Sequence, residues 1–342
     1  MADKKVCQKV KSLWSTGKVM ASVSEAIAKI SLAPDVKIEL GSVQGIEGLS
    51  CNHRCSDSAD WYFVAMPNRT ESTVELSFRQ VGRIPELWDA ESGTCETAST
   101  WRCDGVRTHV SVPFSVCGSK FIVFRTPTTE TASRPSERPS SPRAIPVSGP
   151  WTVSFPNSYL PNPLARGREE RLTLARLVSW SEHPDVGVRY FSGTAKYERT
   201  LERPTCAPGS RIELDLGEVK EVSEVFVGDR TVAVLWKPPF RVDLTEAFRT
   251  NDSIRISVRV ANLWANRLIG DERQHGDDCR WEERVDEGRR ELGLGEIPEW
   301  VKTGNRSPTG RCTFTTWKHW TKEDSLLPSG LLGPVTLRVS QR

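Results

Sequence analysis

IELDLGEVKEVSEVFVGDRTVAVLWKPPFRVDLTEAFRTNDSIRISVRVANLWANRLIGD, residues 212–271, decides the fold of this chain. Ile212, Leu214 and Leu216 alternate with Glu213 and Asp215 before Gly217. Val225, Val227, Val232 and Val234 keep a period of two around a Gly228-Asp229 turn. Ile254, Ile256, Val258 and Val260 alternate with Arg255, Ser257 and Arg259. A side-chain period of two places every second residue on the same face, so these runs predict consecutive strands with one buried and one wet face. The same stretch ends in a polar cluster that strand packing does not require: Asn262, Trp264, Asn266, Arg267 and Asp271.

Working outward, residues 51–125 predict a small β domain. Trp61-Tyr62-Phe63-Val64 is an apolar run. Val74, Leu76 and Phe78 alternate with polar residues, as do Val110 and Val112, and Phe121 opens a last strand. Turn residues separate these runs, as in a sandwich. Residues 126–149 are dense in Pro, Ser, Thr and Arg and predict a linker. A second β domain is expected over residues 150–342. Within it, the charged stretch 271–303 predicts a long surface loop carrying Trp281 and Trp300, the kind of segment on which binding residues sit. Residues 1–50 show no clear β pattern. Val23, Ile27 and Ile30 suit a short amphipathic helix over 19–33, and residues 36–40 suit a strand. The fold class is therefore mainly β, with two sandwiches after a short α/β segment.

Composition narrows the function. The chain has 342 residues, 47 basic and 44 acidic groups, and a formal charge of +3. A near-balance with no basic stripe interleaved with aromatics argues against a nucleic-acid partner. No run of 18 apolar residues predicts a membrane span, and the N-terminus lacks the apolar core of a signal peptide. As it stands, the chain is expected in the cytoplasm. The nine cysteines form no C-x-x-C pair, so mostly free thiols are expected, with a Cys95–Cys103 bridge left open for an exported protein. Cys51, His53 and Cys55 lack the second pair that a zinc site needs. No P-loop, dinucleotide fingerprint or nucleophile elbow occurs.

Twelve tryptophans against four tyrosines is an unusual balance. Indole rings stack on the C–H faces of pyranoses, while Asn, Asp and Arg hydrogen-bond hydroxyls at the ring edge. Trp14, Trp61, Trp88 and Trp151 are expected in cores. The candidate carbohydrate-binding set is Trp264, Asn266, Arg267, Asp271, Trp281, Trp317 and Trp320. Trp317 leans towards an architectural role and Trp320 towards binding. The polar members could equally tie the sandwich together.

The order and wording of residues 212–271 resemble the galactose-binding-like sugar-binding domain of large glycoside hydrolases. The stretch IPEWVKTGNRSPTGRCTFTTWKHWTKEDSLLPSGLLGPVTLRV, residues 297–339, resembles the closing motif of α-L-rhamnosidase-like enzymes of glycoside hydrolase family 106. Trp61 to Val64, Gly82, Pro85 to Asp89 and Phe121 to Arg125 resemble the β domain before it. The resemblance spans residues 50–339 apart from the linker. It implies a galactose-binding-like jelly roll over residues 150–342 and a remnant of a catalytic barrel over residues 1–50. In such enzymes the acids that cleave the glycosidic bond belong to the barrel, which this chain is expected to lack. His53-Arg54 resembles a dipeptide at the barrel's exit.

Glycoside hydrolysis needs two carboxyl groups flanking the scissile bond. Asp57, Asp60, Glu86, Asp89, Glu182, Asp271, Glu272, Asp277 and Asp278 are candidates by type, but no spacing pairs them. No catalytic residue is therefore assigned. The expected function is a carbohydrate-binding accessory region of a truncated glycoside hydrolase, hydrolysis of O-glycosyl bonds being the role of the full-length family. The alternatives are an active glycosidase, alone or with a separately encoded barrel, and a non-catalytic structural or interaction module. No cofactor is required, although the resemblance leaves room for one structural Ca2+ held by six to eight oxygens. Carbohydrate is the expected partner, with a rhamnose-containing glycan as one option and a separately encoded catalytic domain as another partner.

Overall fold

The computed structural model describes residues 2–15, 33–39, 48–67, 70–134, 142–156, 170–286, 289–305 and 307–341, with isolated positions between 22 and 30. The chain divides into two compact units, Met1–Glu137 and Arg138–Arg342. Most of the helix expected over 19–33 lies outside the described residues, as does the centre of the expected linker. Among the described residues, no helix is long and apolar enough to cross a membrane.

The first unit begins with helix α1 (Ala2–Ser15). Its strands are β1 (Val36–Ile38), β2 (Ser50–Cys55), β3 (Asp60–Ala65), β4 (Ser72–Phe78), β5 (Arg83–Trp88), β6 (Cys95–Thr97), β7 (Trp101–Cys103), β8 (Thr108–Phe114) and β9 (Ser119–Pro127). They form two antiparallel sheets, β1-β4-β8-β7 and β2-β3-β9-β5-β6. Alternate residues of both enter one core: Tyr62 and Val64, Val74 and Leu76, Val110 and Val112, Ile122 and Phe124. The strand expected at 36–40 forms, and its partner is β4, with Val36 opposite Phe78. Arg107 fastens this segment by donating to the carbonyls of Pro34 and Asp35.

His53 stacks on Tyr62 at 4.0 Å. Its ring nitrogens meet Asp35 at 3.2 Å and Asp60 at 2.9 Å. Burial pushes the Tyr62 hydroxyl up to about 12, against the Gln80 amide that donates to it. Cys95 and Cys103 stand in different sheets, and all nine cysteines are unbridged.

The second unit contains β10 (Arg143–Pro146), β11 (Trp151–Phe155), β12 (Glu170–Leu174), α2 (Val186–Arg189), β13 (Thr194–Glu202), β14 (Arg211–Asp215), β15 (Glu218–Lys220), β16 (Val222–Val227), β17 (Arg230–Leu235), β18 (Arg241–Asp243), α3 (Thr245–Arg249), β19 (Ser253–Ala261), α4 (Ala265–His275), β20 (Trp281–Asp286), β21 (Arg289–Leu294), α5 (Glu299–Lys302), β22 (Gly330–Gly333) and β23 (Thr336–Ser340). A six-stranded sheet, β12-β11-β13-β19-β16-β17, and a four-stranded sheet, β10-β23-β14-β18, supply its main core. Strand β10 pairs with β23, so residues 143–146 belong to this sandwich.

Ile254, Ile256, Val258 and Val260 are all buried in β19. Burying each contributes about 1.5–3 kcal/mol. A slip of one residue would turn all four outward, which pins the register. Trp180 and Tyr197 close the core with an N–H to hydroxyl bond of 2.6 Å. Gly330, at φ +100°, passes so near both rings that a Cβ there would lie 2.5 Å from Trp180 Nε1 and 2.7 Å from the Tyr197 hydroxyl.

Two expectations are corrected. Residues 271–303 are not one loop. They comprise the end of α4, the β20–β21 hairpin and α5. Val234 is not buried with Val225: it is 59% exposed. The pairing of β16 with β17 shifts between Val225 and Phe226, leaving Val232 as an extra residue. That bulge inverts the inward–outward phase of the rest of β17.

Candidate functional site

The polar cluster after β19 folds as helix α4. Trp264 sits at its N-cap, makes no side-chain capping bond and is 65% exposed. The eight residues from Ala265 to Glu272 are buried. A helix covered all round usually carries only apolar residues. This one buries Asn266, Arg267 and Asp271 because each finds partners in the closing segment. Gly270 lets the helix touch the Tyr190 ring, where a Cβ would approach within 2.3 Å.

Asn266 reads the backbone of Leu327 twice. Its amide donates to the Leu327 carbonyl at 2.8 Å, and its carbonyl accepts from the Leu327 N–H at 2.7 Å. Its amide also reaches the Ser329 hydroxyl at 3.0 Å. One Asp271 oxygen accepts from the N–H groups of Cys312 and Thr313 and from the Thr313 hydroxyl, at 3.0, 2.8 and 2.7 Å. The other faces Arg267 Nε at 3.1 Å. Arg267 also contacts Cys312 Sγ through Nε and Nη2. Desolvation pushes the Cys312 thiol up, Arg267 opposes that and Asp271 adds to it.

An outer tier surrounds Asp277. It accepts from Lys318 Nζ at 2.6 Å, Trp281 Nε1 at 2.7 Å and Arg311 Nη1 at 3.2 Å. Burial opposes its ionisation, yet the donors from Lys318, Trp281 and the Cys279 backbone outweigh burial and hold its carboxyl below the usual range. Lys318 also lies 3.5 Å from Glu272 and 5.7 Å from the Trp281 ring centroid. Asp277, Asp278 and Cys279 bring potential metal-ligand atoms within 4.8 Å of one another. The donor set does not suit calcium. Both Asp277 oxygens face cations, Asp278 accepts from Ser307 and Thr309, and a thiol is a poor third partner for a hard ion.

The structure thus sorts the seven predicted site residues. Asn266, Arg267 and Asp271 face inward and fasten the closing segment. Trp281 is half-buried with its N–H committed to Asp277. Trp317 is 53% exposed and Trp320 is half-buried against His319. Three candidate acids of the first unit are also countered. Asp60 meets His53 and Arg83, Asp89 meets Lys120, and Glu86 meets Arg125.

The composition-based search missed Trp236, which is 61% exposed. It follows β17 in the outward phase set by the bulge. It lines an open groove of about 430 Å³ with Glu218, Lys220, Glu221, Lys237 and Phe240. A second hollow of about 390 Å³, lined by Arg176, Glu182, Pro328 and Leu332 among others, shares Glu218 with the first. The available signal was Trp-Lys-Pro-Pro directly after an alternating strand: a large ring ahead of two residues that stiffen the chain.

Known proteins resemble this chain along both units. Residues 2–102 match the glycoside hydrolase family 106 model described as alpha-L-rhamnosidase. The structure of a rhamnosidase from Novosphingobium sp. PP1Y superposes with a TM-score of 0.71 at 28% identity, over 94% of this chain and 26% of that one. This chain resembles an α-L-rhamnosidase along most of its length. A curated relative from Formosa agariphila, named "Putative beta-glucuronidase", is 39% identical over 202 residues, which are 58% of this chain and 16% of that protein. The α-L-rhamnosidase-like chain therefore spans about a quarter of the solved relative and about a sixth of the curated one. A β-glucuronidase structure from Faecalibacterium prausnitzii aligns over 60% of this chain and 33% of that one, at 16% identity and a TM-score of 0.37.

Proposed function

We propose that this chain is a carbohydrate-recognising, non-hydrolysing region of an α-L-rhamnosidase-like glycoside hydrolase. Hydrolysis of O-glycosyl bonds would belong to the whole enzyme. One observation carries the reading: nearly the entire chain corresponds to a minor part of a rhamnosidase. The local chemistry supports it. The carboxylates Asp60, Glu86, Asp89, Asp271 and Asp277 each face a cation, which leaves them poorly placed as a free acid and its paired base. Exposed indoles at Trp236, Trp264 and Trp317 offer stacking faces. The partner this reading requires is a catalytic barrel, continuous with this chain or separately encoded.

Calorimetric titration with α-L-rhamnosyl oligosaccharides, beside an assay with an aryl rhamnoside, tests the proposal. Binding without turnover is the expected result. Turnover that disappears when one carboxylate is replaced would establish an active glycosidase instead. A chain that binds no glycan would be an interaction module.

A further inference from the structure

We infer that the groove beneath Trp236 is a subsite for a neutral pyranose within a glycan chain, and that the groove continues past Glu218 towards Glu182. This deepens the proposed carbohydrate recognition and rests on it. The inference assigns recognition to the β15–β17 side of the second unit and leaves α4 with a structural role.

Three features of the groove point this way. The first is the indole. A buried tryptophan is core material, but Trp236 shows most of its surface to solvent beside a concavity of about 430 Å³. That volume lies in the range of small-ligand sites. Val222 and Val234 are also exposed, at 38% and 59%. Ser223 pairs with Leu235, so their chain neighbours Val222 and Trp236 lie at the same end of the two strands. This apolar strip suits the C–H face of a sugar ring.

The second feature is charge. Across the two hollows the ionisable lining is Glu182, Glu218 and Glu221 against Arg176, Lys220 and Lys237. Three carboxylates and three cations leave no net sign to select an anion or a cation. They do supply acceptors and donors for hydroxyl groups. Glu218 and Lys220 lie 3.2 Å apart, so the nearest charges already balance. A uronate would gain no net attraction from a lining whose charges already balance, whereas a neutral deoxyhexose or hexose needs none.

The third feature is rigidity. The chain leaves Trp236 through Lys237 and two prolines, then re-enters the core at Phe240, whose carbonyl accepts from the Leu216 N–H at 2.9 Å. A ring held on so stiff a turn loses little freedom when a ligand stacks on it. The two hollows have Glu218 in common, which offers a ligand of more than one ring contacts beyond Trp236.

The test uses the full chain, with calorimetry against two probes: a neutral α-L-rhamnosyl-terminated oligosaccharide and a glucuronate-terminated one. The unmodified chain is expected to prefer the neutral probe. Trp236→Ala should weaken that binding about tenfold or more, the loss typical of an aromatic anchor. Its melting temperature should stay unchanged, and Val106→Ala, an exposed position in the first unit, should keep the affinity. Full affinity in Trp236→Ala with binding lost in Trp317→Ala would overturn the inference while leaving carbohydrate recognition intact. No glycan binding by the unmodified chain would overturn both. Preference for the glucuronate probe would overturn the neutral-ligand assignment. Glycan binding that survives Trp236→Ala, with loss of association between this chain and a catalytic barrel, would reassign the surface to protein docking.

Discussion

Helix α4 and the Trp236 groove carry similar residue types, and the structure puts them to opposite uses. Around α4 the Asn, Arg and Asp side chains are buried and each bonds to the closing segment, with Arg267 Nη1 left as a buried group without a partner. Around Trp236 the charges stand at the rim of an open concavity and the indole is exposed. Polar residues near tryptophan are therefore ambiguous by type alone. What separates the two regions is burial: around α4 the polar groups are enclosed, whereas around Trp236 the charges, Glu218 and Lys220 already paired, stay at the surface. A buried, hydrogen-bonded network fixes one conformation, while an exposed one retains hydrogen-bonding capacity for a ligand.

The largest test of this contrast is Asp271→Ala. It removes four bonds at a residue with no exposure and leaves Arg267 as an uncompensated buried cation. A loss of about 3–5 kcal/mol of unfolding free energy is expected, measured by chemical denaturation of the second unit. A loss below 1 kcal/mol would mean that α4 does not hold the closing segment.

Asn266→Ala should cost less, about 1–3 kcal/mol, because neutral groups at Leu327 are left without partners. The same denaturation curves would report it. Glycan affinity at the Trp236 groove should not change.

Acid should weaken the α4 region through Asp277. Its folded carboxyl titrates below the usual range, so its contribution is fully present above about pH 4, near the unfolded value. It is lost as pH falls through the lower folded value. In the first unit Asp89 behaves alike. Burial opposes its ionisation, but Lys120 and the N–H groups of Ser92 and Glu91 prevail and bring it to about 2. Melting temperatures recorded between pH 5 and pH 2 should fall as the pH falls. A rise over that interval would contradict the ion-pair assignments.

The smallest effect is expected for Trp264→Ala and Trp317→Ala. Both rings are more than half exposed, and stability should change by no more than about 0.5 kcal/mol. A sharp fall in melting temperature for Trp317→Ala would restore the architectural role expected of it from sequence.

Much of the fold was legible in the chain. The alternation at 254–260 names the buried face of β19 correctly, and Val74, Leu76 and Phe78 do the same for β4. The site was less legible. Composition led to Asn266, Arg267 and Asp271 as ligands for a sugar, but their partners lie far along the chain. Asn266 meets Leu327 61 residues away, and Asp271 meets Thr313 42 residues away. The hairpin from Trp281 to Leu294 was hidden because its strands are mostly charged and show no apolar period.

The sequence by itself determined most of the strands and, apart from β17, their buried faces, because burial with a period of two is a local property that each segment carries alone. The resemblance to rhamnosidases was also readable there, in the wording of the closing motif. Only the tertiary structure decided which polar residues turn inward and which tryptophan faces solvent. Those outcomes depend on a bulge of one residue at Val232 and on a loop that returns from the far end of the chain to satisfy a helix. A buried charge is tolerated only where such partners arrive, and no local stretch of sequence encodes their arrival.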